Sequence, residues 1–264
     1  MDVKNSSGYR DFMWAIHLQR LGFEIVGLWP KSNKCTKKSL WPKIWAGIIL
    51  ILLIFVSTVP MIHAVIRVWG NMVLVIDSLH TTLPLVVISL KYIIILRKQT
   101  VVLSIVNMMA EDWMAFKLDE ERDVMIKRAR TARLIMTIGY VVLIVGFITV
   151  VIPSYFGFVT MYITNSTVRR KSLPLETYHF YDTDKSPQFE LIFFIQSVTL
   201  SLAGTIYIFI DMFLVAIVLH IWGQLENFRR HLINLISYKN FNKVLINIVV
   251  THLRLIRYEF LFGQ

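Results

Sequence analysis

Four long stretches almost free of charged side chains are the feature that most constrains this chain. Each is long enough to cross the hydrocarbon core of a bilayer, which takes about 20 apolar residues. The stretches are residues 44–66, 68–90, 134–168 and 191–225. Asp77 and Asp211 are the only charged residues inside them. The sequence therefore predicts an all-α membrane protein in which four helices cross the bilayer.

The distribution of positive charge predicts how these helices are oriented. Of the 28 Lys and Arg residues, 8 precede the first stretch, 9 lie between the second and third, and 6 follow the fourth. The two remaining connections hold 1 and 4. Because the three basic segments share one face of the membrane, the positive-inside rule makes that face cytoplasmic. We expect a cytoplasmic N-terminus, which disfavours the G-protein-coupled receptors, whose N-terminus lies outside the cell.

Composition narrows the class of partner. Hydrophobic residues make up 56% of the chain and charged residues 17%, against about 25% charged residues in soluble domains. The net charge of +11 is concentrated near the predicted membrane ends. Anionic headgroups of the cytoplasmic leaflet explain this charge more simply than nucleic acid does. We therefore expect membrane lipid as a partner and no nucleic acid.

The chain divides into three predicted regions. Residues 1–43 form a cytoplasmic segment with an amphipathic helix along the inner leaflet, which ends before Gly27-Leu28-Trp29-Pro30. Residues 44–225 form the four-span region. Residues 226–264 form a helical cytoplasmic extension, since apolar residues recur every three or four positions to about Ile236. This extension stops without a closing span, and we expect the sequence to be truncated.

The predicted external segment before the fourth span contains a glycosylation signal. Asn165-Ser166-Thr167 has the acceptor pattern and lies on the side that the charge distribution makes external. Asn5-Ser6-Ser7 has the same pattern but lies on the cytoplasmic side. We expect Asn165 to carry a glycan and Asn5 to remain unmodified.

Motifs for catalysis or metal binding do not occur in the sequence. There is no His-Glu-x-x-His pair, no phosphate-binding Gly-rich loop and no Gly-x-Ser-x-Gly turn around a nucleophile. The seven His residues are dispersed along the chain. The sequence predicts neither an enzyme nor a metal or cofactor site.

Two acidic residues at membrane depth are functional hypotheses, because a charge there is costly. Asp77 lies close to the external turn and could be wetted or protonated, while Asp211 could pair with a basic group of another helix. His80 follows Asp77 by about one helical turn, so the two can share a face and a hydrogen bond. We interpret this pair as a polar spot inside a binding cavity.

The outer halves of the spans combine aromatic and small polar side chains. An apolar pocket with few polar groups suits a small hydrophobic ligand. The alternative is that each aromatic side chain faces lipid or a neighbouring helix. The candidate pocket residues are Asp77, His80, Thr81, Pro153, Tyr155, Phe193, Gln196, Thr199 and Leu200.

Four segments, in order along the chain, resemble the insect odorant receptors. Leu21-Gly22-Phe23 with the following Gly-Leu-Trp-Pro is similar to the opening of that family. The other three segments resemble its second extracellular loop leading into the fourth span, the inner end of that span, and the next cytoplasmic helix. They are residues 173–196, 220–225 and 252–258.

The resemblance implies a seven-span subunit of a ligand-gated, nonselective cation channel. Such a subunit forms a heterotetramer with the odorant-receptor co-receptor (Orco) in the plasma membrane of sensory dendrites. It binds small volatile odorants among the outer halves of its helices. Four of the seven spans are present here, and the pore helix is absent, so we expect conduction to require sequence beyond Gln264. A gustatory-type receptor and a nonconducting four-span scaffold are the alternatives.

Overall fold

Helices account for all regular secondary structure that the structure describes. The structure, a computed structural model, describes residues 7–30, 40–115, 118–156, 173–175, 186–234, 249–250 and 253. The helices are α1 (Ser7–Ile25), α2 (Trp41–Ile51), α3 (Val59–Arg67), α4 (Met72–Arg97), α5 (Gln99–Met114), α6 (Asp119–Phe156) and α7 (Gln188–Asn234). A π-helical segment, Leu52–Thr58, joins α2 to α3 without a break.

Four helices among the described residues are long and apolar enough to cross a membrane. They are Trp41–Arg67, Met72–Arg97, Asp119–Phe156 and Gln188–Ile233. This confirms the predicted all-α membrane fold with four candidate spans. We call the end where α4 finishes and α6 begins the basic end, and the end where α3 turns into α4 the turn end.

Two of the helices reach well beyond the apolar stretches. The 38 residues of α6 give a helix of about 57 Å, against a hydrocarbon core of about 30 Å. Its first turn holds Asp119, Glu120 and Glu121, whose negative charge favours a helix N-terminus. The 47-residue α7 also continues past the boundary predicted at residue 225. Much of α6 and α7 therefore extends past the membrane at the basic end.

The turn between α3 and α4 has the residues that such a tight reversal needs. Gly70 has φ +120°, which side chains with a Cβ rarely adopt. Asn71 is the N-cap of α4, and its Oδ1 accepts a hydrogen bond from the Val73 amide at 3.2 Å. This is the short return that the sequence predicts between the first two spans.

The π-helical segment precedes a proline that the first span must accommodate. Pro60 has no amide hydrogen, and a proline ring clashes with the carbonyl four residues earlier in an α-helix. The wider π turn changes this register, and the hydroxyls of Ser57 and Thr58 both donate to the Leu53 carbonyl, at 2.6 and 2.8 Å. The sequence gives no signal by which we predicted this segment.

Helix α1 packs into the bundle and does not merely lie along a lipid surface. It contacts α5, α6 and α7, and it buries Phe12, Ile16 and Phe23. The ring of Phe23 lies 5.0 Å from that of Phe213 in α7. The chain leaves α1 through Gly27, which has φ +70°, at the helix end that the sequence predicts. The opposite face of α1 exposes Trp14, Leu21 and Ile25.

Candidate functional site

A cavity of about 550 Å³ lies between α6 and α7 near the turn end. Small-molecule sites in proteins typically have volumes of about 300–1,000 Å³. The lining residues are spaced at helical intervals, so one face of each helix forms the walls. They are Phe147, Val151 and Tyr155 from α6, and Glu190, Phe193, Phe194, Ser197, Val198, Ser201 and Leu202 from α7.

Aromatic contacts fix one wall of the cavity. The rings of Tyr155 and Phe193 meet edge to face with centroids 5.3 Å apart, which joins α6 to α7. Phe193 also packs against Phe189 at 5.8 Å. Such ring pairs contribute about 0.5–1.5 kcal/mol beyond the burial of area. The wall is therefore held in place before any ligand arrives.

Polar groups in the cavity are few. Ser197 is buried, and its Oγ has no hydrogen-bond partner. Ser201 lies one helical turn further along α7 and is half-buried, whereas Glu190 is exposed in the first turn of α7. The cavity is thus an apolar, partly aromatic chamber with one buried hydroxyl that lacks a partner.

Two of the residues predicted for the pocket line this cavity, Tyr155 and Phe193. Gln196 and Thr199 do not, because they lie on the face of α7 that packs into the protein. The Leu175 amide donates to Gln196 Oε1 at 3.2 Å, and the Thr199 hydroxyl donates to the Ile195 carbonyl at 2.8 Å. Both side chains therefore act in packing in this structure.

The other predicted pocket residues lie outside the cavity. Pro153 and Leu200 are half-buried but are not among its lining residues. Asp77, His80 and Thr81 are exposed on α4, whose opposite face packs into the bundle. Asp77 and His80 lie about one turn apart as predicted, but no hydrogen bond joins these two described side chains. A ligand-binding role for them stays a prediction.

Asp211 takes the second of the two interpretations that the sequence left open. Its Oδ1 lies 2.6 Å from the Lys91 Nζ of α4, so the acid pairs with a basic group of another helix. The same ammonium group lies 4.8 Å from the centre of the Tyr207 ring. Each side chain of the ion pair is about one-third exposed. The pair ties α4 to α7.

A second polar cluster, which the sequence reasoning missed, lies at the basic end. His220 Nε2 of α7 and Asp112 Oδ2 of α5 are 3.1 Å apart, and both side chains are buried. Asp112 follows Met109 by three residues and precedes Trp113, so it lies on the apolar face of α5. That position was the available signal, because an acid on a buried helix face requires a partner.

Next to this cluster is a second, much smaller cavity of about 30 Å³. Gln19, Arg128 and His220 contribute its polar lining. The volume has room for about two water molecules, so it is too small for an odorant. Within the described residues, no three His, Cys, Asp or Glu side chains come together to hold a metal ion. Asn165, the predicted glycosylation site, lies outside the described residues.

Comparisons with known proteins bear on the fold and the family. The family model described as 7tm Odorant receptor matches residues 71–260, which is most of the chain. The insect olfactory receptor OR5 from Machilis hrabei superposes with a TM-score of 0.76 at 13% identity, over 96% of this chain and 65% of that one. The same receptor in complex with eugenol gives 0.71 and 13%, over 97% and 66%. No curated protein sequence matches the chain.

Proposed function

Since the chain belongs to the 7tm odorant receptor family, we propose that it binds small hydrophobic volatile molecules in the cavity between α6 and α7. The observation that carries this proposal is the cavity itself: about 550 Å³, largely apolar, and walled by the Tyr155–Phe193 ring pair. Apolar lining with few polar groups is the usual composition of small-molecule sites. The existence of a eugenol complex of the Machilis receptor is further support.

The proposed orientation places the basic end in the cytoplasm and the turn end outside the cell. The support is the charge distribution, since 23 of the 28 Lys and Arg residues belong to segments on the basic side. In the plasma membrane, this orientation makes the cavity accessible from the exterior. Odorants dissolved in the outer leaflet or the outer aqueous phase then reach it without crossing the membrane.

For the whole receptor, we propose a subunit of a heteromeric, ligand-gated cation channel that assembles with Orco. The chain spans 65% of the length of the Machilis receptor, and the channel step belongs to the complete assembly. The cavity touches α7, which also contacts α1, α4 and α6. A ligand that changes the packing of α7 has a direct route to the basic end.

Filling the cavity tests the binding proposal. In the chain reconstituted in lipid nanodiscs, we expect Val151→Trp to weaken the binding of a panel of small odorants at least about tenfold, because the indole occupies the chamber. Ile148→Trp is the matched control, since Ile148 is exposed on the same helix and does not line the cavity. Saturation-transfer NMR measures the dissociation constants. Equal affinities in the two variants would place the binding site elsewhere.

A further inference from the structure

Hydroxyl groups inside the helices of this protein usually bond to the backbone of their own helix. In α7, the Thr199 hydroxyl donates to the Ile195 carbonyl at 2.8 Å, and the Thr205 hydroxyl donates to the Ser201 carbonyl at 2.6 Å. In α6, the Ser154 hydroxyl donates to the Val150 carbonyl at 2.8 Å. Each bond reaches back four residues, which is the standard way for Ser and Thr to satisfy a hydroxyl in an apolar helix.

Ser197 departs from this pattern. It lies on α7, two residues before Thr199, and it is only 7% exposed. Its Oγ is itself buried and has no hydrogen-bond partner, because the side chain is turned to the cavity and not back to the helix. A buried hydroxyl without a partner is costly, so the cavity is incomplete without a group that accepts its proton.

The surroundings of Ser197 offer little competition for that proton. Phe193 and Val198 on α7 and Val151 on α6 are apolar. Ser201 is the nearest other hydroxyl along the lining face, one turn away, and Glu190 is exposed about two turns away. A molecule that fills the chamber therefore meets one hydrogen-bond donor in an otherwise apolar wall.

We propose that Ser197 selects ligands that carry a hydrogen-bond acceptor, such as a ketone, ester or ether oxygen, by donating its hydroxyl proton to that oxygen. The inference rests on the proposed function of the cavity and adds the chemical class of the ligand. A hydrocarbon of the same shape fills the chamber but leaves the hydroxyl unsatisfied. Sites with a buried polar group reject analogues that lack the matching group for this reason.

The test compares two ligands of nearly identical shape. Acetophenone carries a carbonyl group where α-methylstyrene carries a methylene group. In the reconstituted chain, we expect the ratio of their dissociation constants to favour the ketone. Ser197→Ala should reduce that preference about fivefold, the equivalent of one ordinary hydrogen bond. Its affinity for α-methylstyrene should stay the same or improve, which also shows that the variant is folded.

Two control variants locate the effect on one hydroxyl. Thr199→Val removes a hydroxyl that bonds to the backbone and does not line the cavity, so the ligand ratio should not change. Ser201→Ala removes the other hydroxyl of the lining. A shift in Ser201→Ala with none in Ser197→Ala would overturn the inference, because the donor would then be Ser201.

The outcomes separate this inference from the proposed function. If α-methylstyrene binds and Ser197→Ala leaves the ratio unchanged, the selection by Ser197 is wrong while the cavity remains the binding site. If neither compound nor any other of a broad odorant panel binds the parent chain, the proposed function of the cavity fails, and the inference fails with it.

Discussion

At the scale of single residues, the positions where the backbone comes close to a neighbour are the most informative. Gly22 is the middle residue of the Leu-Gly-Phe run that opens the family resemblance. It is buried in α1, and a Cβ added there would collide with the Phe209 ring of α7. The absence of a side chain is what lets α1 dock against α7, so this motif has a packing reason.

Gly22→Ala should therefore lower the free energy of unfolding, by about 1–3 kcal/mol, the usual cost of overpacking. Gly146→Ala is the control, because nothing lies within 4 Å of a Cβ at that position of α6, and alanine favours the helix there. Thermal unfolding in detergent micelles measures both. A Gly22→Ala chain as stable as Gly146→Ala would mean that α1 does not dock as described.

Buried polar residues sort by whether they have a partner in the structure. His220 and Asp112 satisfy each other across α7 and α5, whereas Ser197 has no partner and faces the cavity. The first arrangement holds helices together, because breaking a buried polar pair leaves a group unsatisfied. The second gives the cavity a polar group that is available to a ligand.

At the scale of helices, α7 organises the fold. It contacts α1, α4, α6 and the π-helical segment, and its buried face includes Ile206, Phe213 and Ile217. Its pairing with α6 is the most extensive helix contact among the described residues. The proposed binding cavity and the polar cluster at the basic end are therefore two regions along the same helix.

The Lys91–Asp211 ion pair should couple α4 to α7. Asp211→Leu alone leaves an uncompensated ammonium group within a candidate span, and we expect it to cost about 1–3 kcal/mol, between the values for exposed and buried pairs. Lys91→Leu combined with Asp211→Leu should recover part of this loss. Thermal unfolding of the two single variants and the double variant gives the coupling energy. Simple additivity would show that the pair does not act as a unit.

At the scale of the whole molecule, the orientation in the membrane follows from charge. Glycan transfer occurs only on the lumenal side, so we expect Asn165 to be modified and Asn5 not to be. Glycosidase treatment of the expressed protein should then change its mass, and Asn165→Gln should abolish that change. A shift that survives Asn165→Gln but disappears in Asn5→Gln would reverse the proposed topology.

The exposed surface of the molecule is consistent with a protein that is surrounded by lipid. The apolar part of α6 is mostly exposed, with Leu134, Val142 and Ile144 among the exposed side chains. Such a long apolar surface would be a liability in water but is the expected surface of a helix in a bilayer. Further helices or subunits of the receptor assembly are the other natural partners of this face.

The sequence by itself determined the four membrane helices and the turn at Gly70, because bilayer thickness and glycine conformation act through local composition. It also identified Tyr155 and Phe193 as pocket residues. Only the tertiary structure decided which side of each helix faces the cavity. Hydropathy in a span is nearly uniform around the helix, so Ser197 could not be distinguished from Thr199, nor exposed Asp77 from the partner of Lys91. Those distinctions depend on how the helices pack, which composition does not encode locally.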